Sequence, residues 1–269
     1  MEPWGAACEW GSDARRKGHV SLRERSLSIA VAIVCKTPTP GYSKTRLSPP
    51  LRPAECAAIS ECFITDLART IDQLSEPDAV GCAVYTPLGS ETALRKLLPN
   101  RFQLTLQSEG GLGDRLLQGT IDLLAAGHSG VILINSDSPT LPLSILQAAV
   151  ETVKSGDCVA LSPAFDGGYT LIGLSKPHAR LFADIPWSTS AVYDLTVARA
   201  NEIGLPVITL PGWYDVDDAE SLQMLDDELA GKPLPFSSST GAPASATRAF
   251  LEQRSARFSM IGDATLRGS

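Results

Sequence analysis

Residues 131–139, reading Val-Ile-Leu-Ile-Asn-Ser-Asp-Ser-Pro, restrict the architecture more than any other part of the chain. Four aliphatic residues in a row read as a strand buried on both faces, which sits mid-sheet with helices above and below. Pro139 brings no backbone donor and disfavours helical geometry at Ser138, so the strand ends there and Asp137 falls at its carboxyl edge. Ligands of open α/β sheets bind at that edge. A carboxylate there can hold a hard cation, and magnesium characteristically takes one or two carboxylates, with water and substrate phosphate completing its shell. The plainer role for the same residue is to cap the helix after Pro139.

The pattern of strand, turn and helix recurs on either side. Residues 28–35 (Ser-Ile-Ala-Val-Ala-Ile-Val-Cys) are a second apolar run, expected as the first central parallel strand. It enters a loop over 36–46 in which Pro38, Pro40 and Gly41 prevent regular structure while Lys36, Lys44 and Arg46 gather positive charge. Cations at a strand's carboxyl end suit an anion: both residue types neutralise a diphosphate, and arginine adds bidentate hydrogen bonds. A P-loop is excluded, because Gly-x-x-x-x-Gly-Lys-Ser/Thr requires glycines where the chain has Pro38 and Ser43. Periodicity then predicts a helix over 53–73, strands over 79–85 and 102–106, and a short helix over 91–97.

Residues 107–115 read Gln-Ser-Glu-Gly-Gly-Leu-Gly-Asp-Arg. Gly110, Gly111 and Gly113 allow close approach of a ligand, and a helix starts directly afterwards, so its N-terminus can receive an anion or a nucleotide edge. The same glycines also suit a plain connector. A helix after Pro139 is followed by a strand over 159–162 and a hairpin turn at Asp166-Gly167-Gly168, with Tyr169 and Thr170 starting the return strand. As a site, that turn leaves room for a sugar ring whose hydroxyls Asp166 accepts from. Trp187, followed by Ser188 and Thr189, can wall a base or sugar, or simply pack.

A helix over 190–203 and a strand over 207–210 lead to Trp-Tyr-Asp-Val-Asp-Asp at 213–218. Alternation sends Asp215 and Asp217 to one side with Val216 buried, and Asp218 stands where a helix cap belongs. Clustered carboxylates stay ionised together most easily beside a cation or a helix N-terminus. Near Asp137, this cluster would supply the second metal carboxylate.

With 269 residues, 43% hydrophobic and 20% charged, the chain can bury a sizeable core. Its net charge of −7 argues against a nucleic-acid partner, so any phosphate site must be local. The six cysteines include no Cys-x-x-Cys and the three histidines are scattered, which argues against zinc and for reduced thiols in a cytoplasmic protein. No apolar run is long enough for a membrane span. Residues 1–26, basic and poor in periodic apolar content, are expected as a flexible tail, 27–231 as the folded domain, and the Ser/Ala/Gly-rich stretch 232–269 as a second flexible tail with room for a short helix around 248–253.

In order along the chain, six motifs resemble a bacterial glycosyltransferase-like family, the radical-SAM/selenodomain-associated transferase 1 family, also named for arsenosugar biosynthesis. They are Lys36-x-Pro-x-Pro-Gly with Lys44-Thr-Arg-Leu47, Gln107-x-x-Gly-Gly-Leu-Gly-Asp-Arg115, Ser136-Asp-Ser-Pro139, Pro163-Ala-x-Asp-Gly-Gly-Tyr169, Trp187-Ser-Thr189 and Asp215-Val-Asp217. The resemblance implies the GT-A nucleotide-diphospho-sugar transferase fold, a Rossmann-like, mostly parallel α/β sheet with helices on both faces. By that likeness, Lys36, Pro38, Gly41, Lys44 and Arg46 would hold the nucleotide and its phosphates together with Gln107, Gly111, Gly113 and Arg115. Asp137 and Asp217 would hold Mg²⁺ or Mn²⁺, with Asp215 beside them, and Asp166, Gly167, Gly168, Tyr169, Trp187 and Thr189 would face the sugar or acceptor.

Three functions follow. The leading one is a metal-dependent glycosyltransferase in which Asp137 helps hold the metal, Lys44 and Arg46 stabilise the departing nucleoside diphosphate, and Asp166 positions sugar or acceptor. The second is a nucleotidyltransferase that moves a nucleotidyl group from an NTP to a phosphorylated acceptor and releases pyrophosphate. The third is a nucleotide-binding protein without catalysis.

Overall fold

Continuous apolar runs bounded by proline and glycine produce the strands. In the computed structural model, which describes residues 28–74, 78–236 and 239–267 (side chains to 257), these are β1 (Ile29–Lys36), β2 (Ala79–Thr86), β3 (Gln103–Leu106), β4 (Gly130–Asn135), β5 (Val159–Pro163), β6 (Tyr169–Leu174) and β7 (Val207–Thr209). Each falls where periodicity puts it. The helices are α1 (Pro53–Ile71), α2 (Glu91–Arg95), α3 (Leu112–Ala125), α4 (Leu143–Ser155), α5 (Val192–Glu202), α6 (Ala219–Leu229) and α7 (Ser245–Arg267). The basic segment 1–26 and Cys8 lie outside the described residues.

The strands form one sheet in the order β3-β2-β1-β4-β6-β5-β7, parallel except for β6, which runs against both β4 and β5. Alternate residues feed opposite cores. Ile29, Val31, Ile33 and Cys35 of β1 join Ile132 and Ile134 of β4 against Phe63, Ile64 and Leu67 of α1 and Ile145 and Leu146 of α4. Ala30 and Ala32 join Val131 and Leu133 on the other face, against Leu116 and Leu123 of α3. Two faces each covered by helices explain why β1 and β4 are apolar at nearly every position. Strand order reverses between β1 and β4, which opens a crevice at their carboxyl ends.

The C-terminal stretch departs from its composition. Instead of a tail with a short helix, α7 begins at Ser245 and its first turns lie on α1. The anchor is Asp66 of α1, 2% exposed, which accepts from Ala246 N at 2.9 Å, Thr247 N at 2.8 Å and Thr247 Oγ1 at 2.8 Å. A carboxylate from a distant helix thus satisfies donors left free at a helix start. Ala244 and Leu251 complete the contact from within the main core. Few apolar residues are needed for this docking, so composition does not reveal it.

Candidate active site

β1 ends in Lys36 and passes into a turn where Lys44 adopts left-handed backbone geometry (φ 49°, ψ 42°), an uncommon state for a residue with a side chain. That turn carries the Lys44 side chain under the carboxyl end of β4. Its ammonium lies 2.8 Å from Asp137 Oδ1, 2.8 Å from Asp217 Oδ1 and 2.7 Å from the Val216 carbonyl oxygen. The aromatic ring of Phe63 lies 5.8 Å from the same nitrogen. Burial alone would lower the Lys44 pKa, but the charges of Asp137 and Asp217 and their hydrogen bonds outweigh it and leave it raised.

The expected meeting of residues 137 and 217 is therefore present, and it is made around a lysine. The backbone sets it up: Val216 N–H donates to the Asp137 carbonyl at 2.9 Å, while the Val216 side chain is buried completely. Asp218 is the cap of α6, accepting from Ser221 N at 2.9 Å, as its position at a helix start suggests.

Two adjoining clefts meet at this acid pair. The first, about 350 Å³, is lined by Lys36, Arg46, Gln107 and Arg115 together with Lys44, Asp137 and Asp217. The second, about 330 Å³, holds Asp166, Gly168, Tyr169, Trp187, Thr189 and Asp215, and it shares Asp137 and Asp217 with the first. Among its described lining residues there is neither lysine nor arginine. Burial, then the charges of Asp166, Asp217 and Asp137, push the Asp215 carboxyl up to about 7.

Some expected roles change. Asp215 is not among the partners of Lys44, and among the described residues no three His, Cys, Asp or Glu side chains converge as a metal cage. Asp137 and Asp217 line both clefts, and Asp215 joins them in the second. Gly111 and Gly113 do not line the clefts. Gly111 N–H donates to Asp114 Oδ2 at 2.9 Å and caps α3, and a Cβ on Gly113 would lie 2.6 Å from the Phe182 carbonyl oxygen and 2.9 Å from Trp187 Nε1. Gly113 therefore admits Trp187 instead of a phosphate. Gly167 likewise gives space to the Ser190 backbone, which its Cβ would approach to 2.2 Å, instead of to a sugar ring. Pro38 and Gly41 shape the turn without facing the cleft.

Gln107 Nε2 donates to the Cys35 and Val84 carbonyls at 3.1 and 3.0 Å, tying the glycine turn to the ends of β1 and β2. Tyr42, Ser60 and Leu112 also line the first cleft. Tyr42, 84% exposed, stands beside the Gly41 turn, and nothing in its local sequence separates it from an ordinary surface aromatic. Ser60 carried no signal, because its helix is recognised by its apolar positions. Burial pushes the Cys35 thiol, at the floor of the cleft, up to about 12, so it stays protonated.

Residues 70–189 match the family model described as "Uncharacterized protein conserved in bacteria (DUF2064)". No curated protein matches the chain. Among solved structures, the chain is similar to a candidate nucleotide-diphospho-sugar transferase from Desulfovibrio desulfuricans G20, with 29% identity, a TM-score of 0.71, and 85% of this chain and 95% of that one covered. It is also similar in fold to CMP:2-keto-3-deoxy-manno-octonic acid synthetase complexed with CTP, at 10% identity and a TM-score of 0.51, over 76% of this chain and 99% of that one. The fold is accordingly that of the nucleotide-diphospho-sugar transferases, as the motif resemblance implies. The matched family model does not carry the name of the transferase 1 family. Among the described residues no helix is long and apolar enough to cross a membrane.

Proposed function

We propose that the protein transfers a glycosyl group from a nucleotide-diphospho-sugar to a small acceptor without a phosphate group, with residues 27–231 as the catalytic unit. The observation that carries this reading is the opposite character of two clefts that share one acid pair. The first, with Lys36, Arg46 and Arg115, suits a nucleoside diphosphate. The second, with Asp166 and Asp215 beside Tyr169 and Trp187, suits hydroxyl groups and an apolar ring face. Similarity to the Desulfovibrio protein supports the donor class.

Asp137 and Asp217 fit a Mg²⁺ or Mn²⁺ ion as a hard two-carboxylate donor set whose remaining positions a diphosphate and water would fill. When bound, such a cation neutralises charge on the diphosphate. In the transfer, the bond from the sugar anomeric carbon to the phosphate oxygen breaks, a bond to the acceptor hydroxyl oxygen forms, and the proton of that hydroxyl passes to the departing diphosphate or to water. The nucleoside diphosphate leaves with the electron pair. Lys36, Arg46 and Arg115 then hold more charge than before, which is the differential stabilisation that accelerates a reaction. Asp166 receives hydrogen bonds from sugar or acceptor hydroxyls.

Nucleotidyl transfer requires basic side chains to hold the acceptor phosphate, and the second cleft, with carboxylates and neither lysine nor arginine among its described lining residues, repels that anion. Product analysis tests the choice. Incubation with sugar nucleotides and Mn²⁺ is expected to release nucleoside diphosphate; pyrophosphate from an NTP and a sugar phosphate would replace this reading with its rival. Ligand binding that is indifferent to metal and survives Asp137→Asn would favour a non-catalytic binder.

A further inference from the structure

The Lys44 ammonium has three N–H donors. All three find an acceptor inside the protein: Asp137 Oδ1, Asp217 Oδ1 and the Val216 carbonyl oxygen, at 2.8, 2.8 and 2.7 Å. None is left over for a phosphate, although Lys44 lines the first cleft. Its side chain is 7% exposed, whereas those of Asp137 and Asp217 are 30% and 44% exposed. The ammonium therefore lies behind two carboxylates that face the cleft.

We infer that Lys44 is the resident counter-ion of the Asp137–Asp217 pair, and that a divalent cation reaches this pair by displacing the ammonium, which then turns to the phosphates brought in with it. This rests on the transferase reading above. A divalent ion and an ammonium competing for the same two oxygens repel each other strongly at contact distance. A diphosphate offers the displaced ammonium new acceptors, so cation and diphosphate would enter as a coupled pair, each raising the affinity of the other. The means for the exchange lie in the residue itself. Four rotatable side-chain bonds allow the nitrogen to swing, and the left-handed backbone at Lys44 is the kind of local strain found where segments switch.

The test is Mn²⁺ binding to the full chain, followed by the electron paramagnetic resonance signal of free Mn²⁺, with and without pyrophosphate as a base-independent diphosphate. Wild-type protein is expected to hold Mn²⁺ alone weakly and to gain about tenfold or more in affinity with pyrophosphate. Lys44→Met removes the charge but keeps the stem beside Phe63, and is expected to bind Mn²⁺ alone about tenfold more tightly, with the gain from pyrophosphate largely gone. Lys44→Gln is the second variant should the first fail to fold, and the same result is expected of it. Adding Asp137→Asn to either should abolish the increase. Unchanged or weaker Mn²⁺ binding in the folded Lys44 variants, with Mn²⁺ and pyrophosphate still binding the wild type, overturns the counter-ion inference and leaves the transferase reading standing. Failure of every form to bind Mn²⁺ or pyrophosphate overturns both.

Discussion

The Val216 N–H donates to the Asp137 carbonyl oxygen at 2.9 Å, and this backbone bond sets the distance between the two acids of the site. Asp215 and Asp217 flank Val216, so anchoring the buried residue between them aims both into the second cleft. The Val216 carbonyl then receives Lys44, which closes the cluster. Three segments far apart in the chain thereby act as one unit.

Neutralising an acid of the pair should cost both catalysis and stability. Asp137→Asn and Asp217→Asn are each expected to reduce turnover of the preferred sugar nucleotide about 100-fold or more. Asp137→Asn also leaves Lys44 with less opposing charge and should destabilise the fold by about 1–3 kcal/mol in urea denaturation. With Lys44→Met added, the total loss of stability should be smaller than the sum of the single losses, since both changes touch one cluster.

Gly167→Ala tests the packing role of the hairpin turn. A Cβ there would lie 2.2 Å from the Ser190 carbonyl oxygen, and φ is +90°, a backbone state that favours glycine. Overpacking and backbone strain together are expected to cost about 2–3 kcal/mol. A urea midpoint equal to that of the wild type would remove the argument.

Asp66→Ala should release the start of α7. Three donors from Ala246 and Thr247 lose their acceptor at a buried position, at an expected cost of about 1–3 kcal/mol. Limited proteolysis should then cut ahead of Ser245 faster than in the wild type, while the parallel half of the sheet keeps its hydrogen-exchange protection.

Glu228 provides a pH-dependent expectation. Burial raises its pKa above 4.5, against the opposing effect of the hydrogen bond from the Tyr214 hydroxyl. A carboxyl with a raised folded pKa binds its proton more tightly in the native state, so stability falls as pH rises from 4.5 through the folded value and stays lower above it. Glu228→Gln keeps an acceptor for Tyr214 and loses the charge. Its melting temperature should exceed that of the wild type at pH 8, and the difference should vanish below about pH 4.5. A constant difference across that range would assign the effect to packing.

Periodicity was sufficient to place β1, β4 and the helices around them, because burial on two faces or one leaves its mark in neighbouring residues. It also put Asp137 at a strand's carboxyl edge and Asp215 and Asp217 on one side of Val216, for the same local reason. The roles of Gly113 and Gly167 were not legible: a glycine looks alike whether it makes way for a ligand, for the Trp187 ring or for the Ser190 backbone. Nor was the anchoring of α7 on Asp66, since nothing near either segment reports a partner so distant. The junction of Lys44 with Asp217 spans 173 positions and depends on β1 lying next to β4 and on one backbone bond from Val216. Such meetings are products of strand order and packing across the whole fold, whereas the elements that meet arise from interactions between residues a few positions apart.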